Sequence, residues 1–185
     1  MSDFHCMVDI ETLSTEATAA VLAIGAVMFN PRGGDEEDTL VETFFIRISL
    51  DSNEKYDRHM SSGTIKWWMS QSEDARTKTF SGDMSPLNFA LRDFGTWCRT
   101  FETQPTRIWA KSPDFDCSIL EHACKTTHQD WPFKFWDTRC VRTITELAYP
   151  EGNAPKIGVG VAHDALDDAK RQVLMVQHCY KVLSC

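Results

Sequence analysis

The chain has 185 residues, 42% apolar and 25% charged, which is typical of a soluble globular protein with one substantial core. No apolar run reaches the roughly 18 residues of a membrane span, and the first residues lack a signal-peptide pattern, so we expect a cytoplasmic protein that contacts no membrane. The net charge of −8 disfavours non-specific binding to duplex nucleic acid, but it does not exclude a nucleic acid substrate if some of the acids hold cations.

Three apolar segments in the first part of the chain are typical of strands. They cover residues 4–14, 21–31 and 39–50, and the turn at 31–38 between the second and third has an acidic tip. Because a short glycine-rich turn joins these two strands, the pattern predicts an antiparallel meander.

The remainder of the chain is mainly helical in pattern. A polar segment at 51–63 is expected to be irregular, and RIWA at 107–110 is a short strand. Helices are predicted at 64–78, 85–101, 116–127, 141–150 and 163–183, and within 85–101 the apolar residues recur at spacings of three and four. A loop rich in glycine and proline separates the last two helices. This order of elements predicts a single α/β domain over residues 1–185.

Acidic residues lie where a purely structural explanation is awkward. Asp9 and Glu11 are two residues apart in the first strand and so share one face, although neighbouring carboxylates repel each other and are costly to desolvate. Asp114 and Asp116 follow the strand at 107–110, where helix capping is the alternative explanation.

His163 and Asp168 complete this set near the start of the last predicted helix, although both could instead belong to a solvated first turn. A divalent cation explains all of these residues together, because Mg²⁺ and Mn²⁺ bind carboxylates and substrate phosphate. Two such ions about 4 Å apart promote in-line displacement at a phosphodiester, and a histidine can accept the proton of the attacking water.

The motifs Asp9-Ile-Glu11-Thr12, Phe115-Asp116 and His163-x4-Asp168 occur in this order along the chain. Together they resemble the DEDDh 3′→5′ exonucleases of the DnaQ-like branch of the RNase H-like superfamily. The resemblance covers nearly the whole chain and includes VLAIGAV at 21–27, which is similar to the second strand of that family. It implies an RNase H-like fold with a central mixed five-stranded sheet flanked by helices. It also implies a two-metal-ion exonuclease that releases nucleoside 5′-monophosphates from the 3′ end of a single strand.

A narrower resemblance is carried by the segments 64–76, 109–120 and 136–144. These are similar to the phage DexA-type exonucleases and to the bacterial ribonuclease RNase AS, which implies a phage or bacterial protein in the host cytoplasm. The first group implies a DNA substrate and the second RNA. The DexA-like resemblance favours DNA, but nothing in the sequence reads the 2′-hydroxyl, so both sugars are kept.

The resemblance also implies roles for individual residues. The carboxylates that hold two Mg²⁺ ions, with Mn²⁺ able to substitute, are Asp9, Glu11, Asp116 and Asp168. His163 is the general base. Asp116 is preferred to Asp114 because the aromatic residue of the family motif directly precedes its aspartate. The terminal nucleotide is expected to contact Thr12, Leu13 and Ser14, through their backbone and a leucine wedge.

Single-strand binding needs aromatic surfaces and basic side chains. Trp67 and Trp68 are candidates for stacking, and since adjacent helical residues point about 100° apart, one should face the core and the other the substrate. The candidates for phosphate contacts, with salt bridges as the alternative, are Arg76, Lys111, Arg139 and Arg142.

Two other functions compete with the exonuclease hypothesis. An RNase H-type endonuclease would lack the His163-x4-Asp168 spacing, and a catalytically silent binding module would be expected to lack one of the acids, which are all present. The oligomeric state stays open, because the aromatic segment 131–136 suits either a homodimer interface or the core.

Overall fold

A computed structural model describes residues 4–33, 40–100, 104–158 and 160–184 of the chain, without the side chains of residues 40 and 41. Five strands form one sheet: β1 His5–Thr12, β2 Val21–Phe29, β3 Leu40–Arg47, β4 Ile108–Ala110 and β5 Thr138–Cys140. Seven α-helices accompany them in the described residues: α1 Leu50–Lys55, α2 Ser62–Met69, α3 Glu73–Phe80, α4 Leu87–Thr100, α5 Pro113–Thr127, α6 Val141–Ala148 and α7 Ala165–Leu183. Most of the predicted acidic turn at 31–38 lies outside the described residues.

The sheet has the order β3-β2-β1-β4-β5. The first three strands pair as the predicted antiparallel meander, and β4 and β5 add to β1 in parallel. The prediction of a mixed five-stranded sheet flanked by helices is therefore confirmed. Since β1, β4 and β5 run in the same direction, their carboxyl ends meet at one edge, where open α/β sheets bind their ligands.

The two faces of the sheet are covered by different helices. Cys6, Val8 and Ile10 of β1 pack in a core cluster with residues of α4 and α5. Met7 lies in a second cluster with Val27, Phe29 and the apolar side of α7. Because side chains alternate along a strand, Asp9 and Glu11 follow Met7 on the side of α7.

A glycine in β2 brings α7 close to the sheet. Gly25 is the register partner of Asp9, and a Cβ atom built on it would lie 2.2 Å from the carbonyl carbon of Ala165. A side chain at position 25 would therefore push the first turn of α7 away. Gly25 thus fixes how closely the last helix approaches the acidic strand.

Several predicted boundaries are wrong. The segment 51–63, expected to be irregular, contains α1, and the predicted helix at 64–78 is two helices, with Ser72 capping α3 through the amide of Ala75. The strand β5 was not recognised from its residues. The last helix starts at Ala165, so His163 precedes it. Within the described residues, every helix is too short or too polar to cross a membrane.

Candidate active site

The acids of β1 lie at the carboxyl edge of the sheet in a setting that disfavours their charge. Glu11 is buried, and its burial, with Asp116 and Asp164 nearby, raises the pKa of its carboxyl to about 8. The pKa of Asp9 is also raised, chiefly by burial and then by Asp116 and Glu11. The site therefore holds more acid than its described neighbours neutralise.

Asp116 comes from a different element and joins the same cluster. It lies in the first turn of α5, and its Oδ1 accepts a hydrogen bond of 3.2 Å from the amide of Ile10 in β1. Burial raises its pKa to about 7, although the bond to Ile10 and the charge of Arg142 act in the opposite direction. Asp114, two residues earlier, is exposed. The structure thus brings Asp116, and not Asp114, to the acids of β1.

His163 and Asp168 approach from the start of α7. His163 has a positive φ of 62°, and its amide donates a 3.0 Å hydrogen bond to Oδ2 of Asp168. The possible ligand atoms of Glu11, His163 and Asp168 all lie within 4.8 Å of one another. The pKa of His163 is lowered, first by burial and then by Arg171, which favours a neutral imidazole able to accept a proton.

The cluster has the donor set that a hard divalent cation prefers. Carboxylates from β1, α5 and α7 converge, and burial is the main cause that raises the pKa values of Asp9, Glu11 and Asp116, a cost of charge that a bound cation would offset. Among the described residues, Oε1 of Gln172 is a buried acceptor without a hydrogen-bond partner beside Asp9. These residues fit bound Mg²⁺ or Mn²⁺.

Two cavities flank the cluster. One, here called the basic cavity, has a volume of about 870 Å³, and its lining includes Asp9, His163 and Asp168 together with the basic residues Lys111 and Arg142. The second, here called the apolar cavity, has a volume of about 410 Å³ and lies beside Glu11, between Trp67 and Phe115. Acids of the cluster therefore line both a cavity that contains basic side chains and a largely apolar one.

The two tryptophans of α2 face different ways, as the helical geometry predicted. Trp67 is 41% exposed, lines the apolar cavity and meets His163 edge to face, with 4.8 Å between ring centroids. Trp68 is 2% exposed, and its indole N–H donates a 2.9 Å hydrogen bond to the carbonyl of Thr12. Trp68 therefore supports the end of β1 from the core and cannot stack on a base, a correction to its expected substrate contact.

The residues after the first motif also differ from their expected roles. Leu13 is buried in a cluster with Trp68 and Leu22, so its side chain does not form the expected wedge. Ser14 is buried, with its hydroxyl 2.7 Å from Nδ1 of His59, and its carbonyl accepts a hydrogen bond from the hydroxyl of Thr12. Of the three, Thr12 lines the apolar cavity.

The basic candidates divide into two groups. Lys111 and Arg142 line the basic cavity, as the predicted phosphate contacts would. Arg139 instead donates to the carbonyls of Trp136 and Thr138, and Arg76 to those of Met69 and Gln71. The structure therefore does not place Arg139 or Arg76 on the lining of either cavity described above.

Residues that the sequence reasoning missed surround the last motif. Gln172 donates a 2.6 Å hydrogen bond to Asp9, and Arg171 forms an ion pair with Asp168. Asp167, which neighbours Asp168 but does not match the register of the family motif, accepts from Lys78 of α3 and from the amide of Val161. Only the helical spacing from Asp168 could have indicated Gln172, since residues four apart share a helix face.

The aromatic segment 131–136 is partly core and partly surface. Trp131 and Phe133 pack against the cluster that contains α4 and α5. Phe135 is 86% exposed and Trp136 is 55% exposed, with Lys134 beside the ring of Trp136. A homodimer interface at these two aromatic rings stays a prediction.

Known structures share this fold. The structure of cell-death related nuclease 4 (CRN-4) matches 97% of this chain and 64% of its own, with a TM-score of 0.65 and 16% identity. The nuclease domain of 3′hExo, a DEDDh family member bound to rAMP, matches 97% of this chain and 92% of its own, with a TM-score of 0.59 and 14% identity. A Mg²⁺- and Mn²⁺-bound form of S. pombe Pop2p matches 93% and 81%, with a TM-score of 0.55 and 9% identity. The fold and the acidic site of this protein are together those of the DnaQ-like class of exonucleases.

The sequence comparisons identify the family. An exodeoxyribonuclease of Enterobacteria phage T4 is 25% identical over 212 aligned positions, covering 96% of this chain and 89% of that protein. The family model described as the 3′-5′ exoribonuclease Rv2179c-like domain matches residues 4–180. The chain belongs to this family and is an exonuclease, which confirms the resemblance found in the sequence.

Proposed function

We propose that the protein is a metal-dependent 3′→5′ exonuclease that removes nucleoside 5′-monophosphates from a single strand of DNA. The observation that carries the proposal is the convergence of acids from β1, α5 and α7 beside a histidine, with Glu11, His163 and Asp168 within 4.8 Å of one another. A nonspecific binding surface has no need of such a costly concentration of buried carboxylates.

The ions would be held by the four acids of the cluster. Asp9, Glu11, Asp116 and Asp168 would hold two Mg²⁺ ions. Mn²⁺ would substitute for Mg²⁺. When bound, such ions neutralise the charge that develops on the attacking and leaving oxygens of the phosphodiester. Divalent metals are present in the related Pop2p structure.

The chain itself supplies the proton acceptor and the substrate contacts. His163 accepts the proton of the water that attacks the last phosphorus atom, and the bond to the 3′-oxygen of the preceding nucleotide breaks. The terminal base stacks in the apolar cavity against Trp67, while Arg142 and Lys111 contact backbone phosphates in the basic cavity. His163→Ala should lower the rate by about 10²–10⁴-fold.

RNA is the second candidate substrate. The matching family model is described as an exoribonuclease domain, whereas the phage relative is an exodeoxyribonuclease. Thr15 and Thr64 line the apolar cavity, and a threonine hydroxyl there would be a partner for a ribose 2′-hydroxyl. DNA and RNA of identical sequence are therefore compared in the same test.

The test follows single strands labelled at the 3′ or the 5′ end, with Mg²⁺ or with EDTA. Early release of the 3′ label as a mononucleotide, a shortening series of 5′-labelled products, and no reaction in EDTA are expected. Internal cleavage, first release from the 5′ end, or full activity in EDTA would overturn the proposal. The ratio of the DNA and RNA rates decides the sugar.

Two single substitutions in the first turn of α5 test whether this activity depends on the acidic cluster. Asp116→Asn should lower the rate by about 10–100-fold, the usual loss when a residue that supports a bound metal ion is changed. Asp114→Asn is the matched control, because Asp114 is exposed, and it should leave the rate near that of the unmodified protein. The reverse order would show that Asp114 is the residue of the second motif.

A further inference from the structure

Gln172 lies on the side of α7 that faces the acidic strand. It is four residues after Asp168 and therefore on the same helix face. Its Nε2 donates a 2.6 Å hydrogen bond to Oδ1 of Asp9, which belongs to β1. The amide thus connects α7 to Asp9, the acid of β1 whose pKa is raised by burial and by neighbouring acids.

The other end of the same amide is unusual. Gln172 is 8% exposed, and within the described residues its Oε1 is buried without a hydrogen-bond partner. Leaving a buried acceptor unpaired typically costs about 1–3 kcal/mol, so such atoms call for an explanation. An apolar side chain of similar length would avoid this cost, but it would leave Asp9 without its donor.

The position of Oε1 indicates which group could donate a hydrogen bond to it. Gln172 lines the basic cavity together with Asp9, His163 and Asp168. Mg²⁺ usually keeps several of its waters when it binds protein carboxylates, and those waters are strong hydrogen-bond donors. A residue that orients a metal ligand through one atom and receives an ion-bound water through another is an outer-sphere partner of the ion.

We propose that Gln172 is a positioning residue for the metal site. Its Nε2 holds the carboxylate of Asp9, and its Oε1 accepts a hydrogen bond from a water of the bound ion. The inference deepens the proposed function and rests on its metal dependence, but its test reads metal binding directly and needs no turnover.

The test measures Mn²⁺ binding to the substrate-free protein by the electron paramagnetic resonance signal of free Mn²⁺. Gln172→Met keeps the side-chain length and removes both polar atoms, and we expect the Kd for Mn²⁺ to rise by about 10–100-fold. Gln177→Met is the matched control: Gln177 is buried on the same helix, but its amide donates to the carbonyl of Asn30, so its loss should leave the Kd unchanged.

A double-mutant cycle separates positioning from general damage. If Gln172 acts through Asp9, Gln172→Met should change the Mn²⁺ affinity much less in an Asp9→Asn background than in the unmodified chain. Should Gln172→Met fail to fold, Gln172→Asn takes its place, because it retains both polar atoms on a side chain one methylene shorter, and the same loss of affinity is expected.

An unchanged Kd in the Gln172 variant, an equal rise in the Gln177 variant, or an equal rise in the Asp9→Asn background would overturn the inference. Metal-dependent hydrolysis by the unmodified protein together with any of these results would reject the role of Gln172 alone. Mn²⁺ binding that depends on Gln172 in a protein that hydrolyses no strand would support the inference and contradict the proposed function.

Discussion

At the scale of single residues, the protein keeps acids in a place that penalises their charge. Glu11 and Asp116 are buried at the carboxyl edge of the sheet, and their pKa values rise to about 8 and about 7. Gln172 and the amide of Ile10 donate to two acids of the cluster, but these contacts do not compensate the burial. A bound divalent cation would compensate it. The same carboxylates that weaken the metal-free fold are therefore suited to bind metal.

The raised pKa values of these carboxyls predict how the stability of the metal-free protein depends on pH. A carboxyl whose folded-state pKa is raised stabilises the fold at low pH, and this contribution is lost as pH rises through the folded pKa. For Glu11 the loss runs from its ordinary pKa of 4.5 to about 8. In EDTA, the free energy of unfolding should therefore fall between about pH 4.5 and about pH 8.

Urea unfolding at several pH values, in EDTA and in Mg²⁺, measures this effect. Glu11→Gln removes one of the titrating groups and should flatten the decline, and Mg²⁺ should reduce it in the unmodified protein. A metal-free protein whose stability is level or rises over this pH range would contradict the electrostatic account of the site.

At the scale of elements, the site depends on how two helices meet the end of β1. The helix α2 contributes one tryptophan to the core and one to the apolar cavity, and α7 reaches Asp9 because Gly25 lets it approach β2. The orientation of α2 affects substrate contact, whereas the approach of α7 sets the distance between the acids of α7 and those of β1.

The two tryptophans of α2 should separate binding from stability. Trp67→Ala removes the expected stacking surface and should weaken binding of a single strand by about 1–3 kcal/mol, seen as a higher KM, with little change in the unfolding midpoint. Trp68→Phe removes the donor to the carbonyl of Thr12 and should instead lower stability by about 1–3 kcal/mol. Equal effects of the two changes on KM would contradict this division.

The contact at Gly25 gives a second prediction for this scale. Gly25→Ala would place a methyl group against the backbone of Ala165, which cannot yield without moving α7. Both the thermal midpoint and the exonuclease rate should fall. Gly158→Ala is the control, because a Cβ there meets nothing within 4 Å, and a Gly25 variant as active and stable as this control would refute the close approach.

The sequence predicted the elements with strong periodicity and missed those that depend on tertiary contacts. The strand character of β1 and β2 is clear from their apolar runs, and the spacing of the acids indicated which residues the fold would gather. The break between α2 and α3 was missed because Ser72 acts as a cap only once the chain turns there. β5 has three residues and becomes a strand by pairing with β4. Gln172 was missed because its partner Asp9 is 163 residues away.

At the scale of the whole molecule, residues of the acidic cluster line two chemically different cavities. The basic cavity presents Lys111 and Arg142, and the apolar cavity presents Trp67 and Phe115. This division suits a strand whose phosphates enter on one side while its terminal base stacks on the other. A net charge of −8 is compatible with a nucleic acid substrate, because cations bound at this cluster would offset part of it.

The most direct test of this account is a crystal structure of the protein with Mn²⁺ and a nucleoside 5′-monophosphate, with the ions located by their anomalous scattering. The account predicts Mn²⁺ between Asp9, Glu11, Asp116 and Asp168, the phosphate at the ions, and the base against Trp67. A well-ordered nucleotide bound elsewhere, or an acidic cluster that takes up no Mn²⁺ at millimolar concentration, would contradict it.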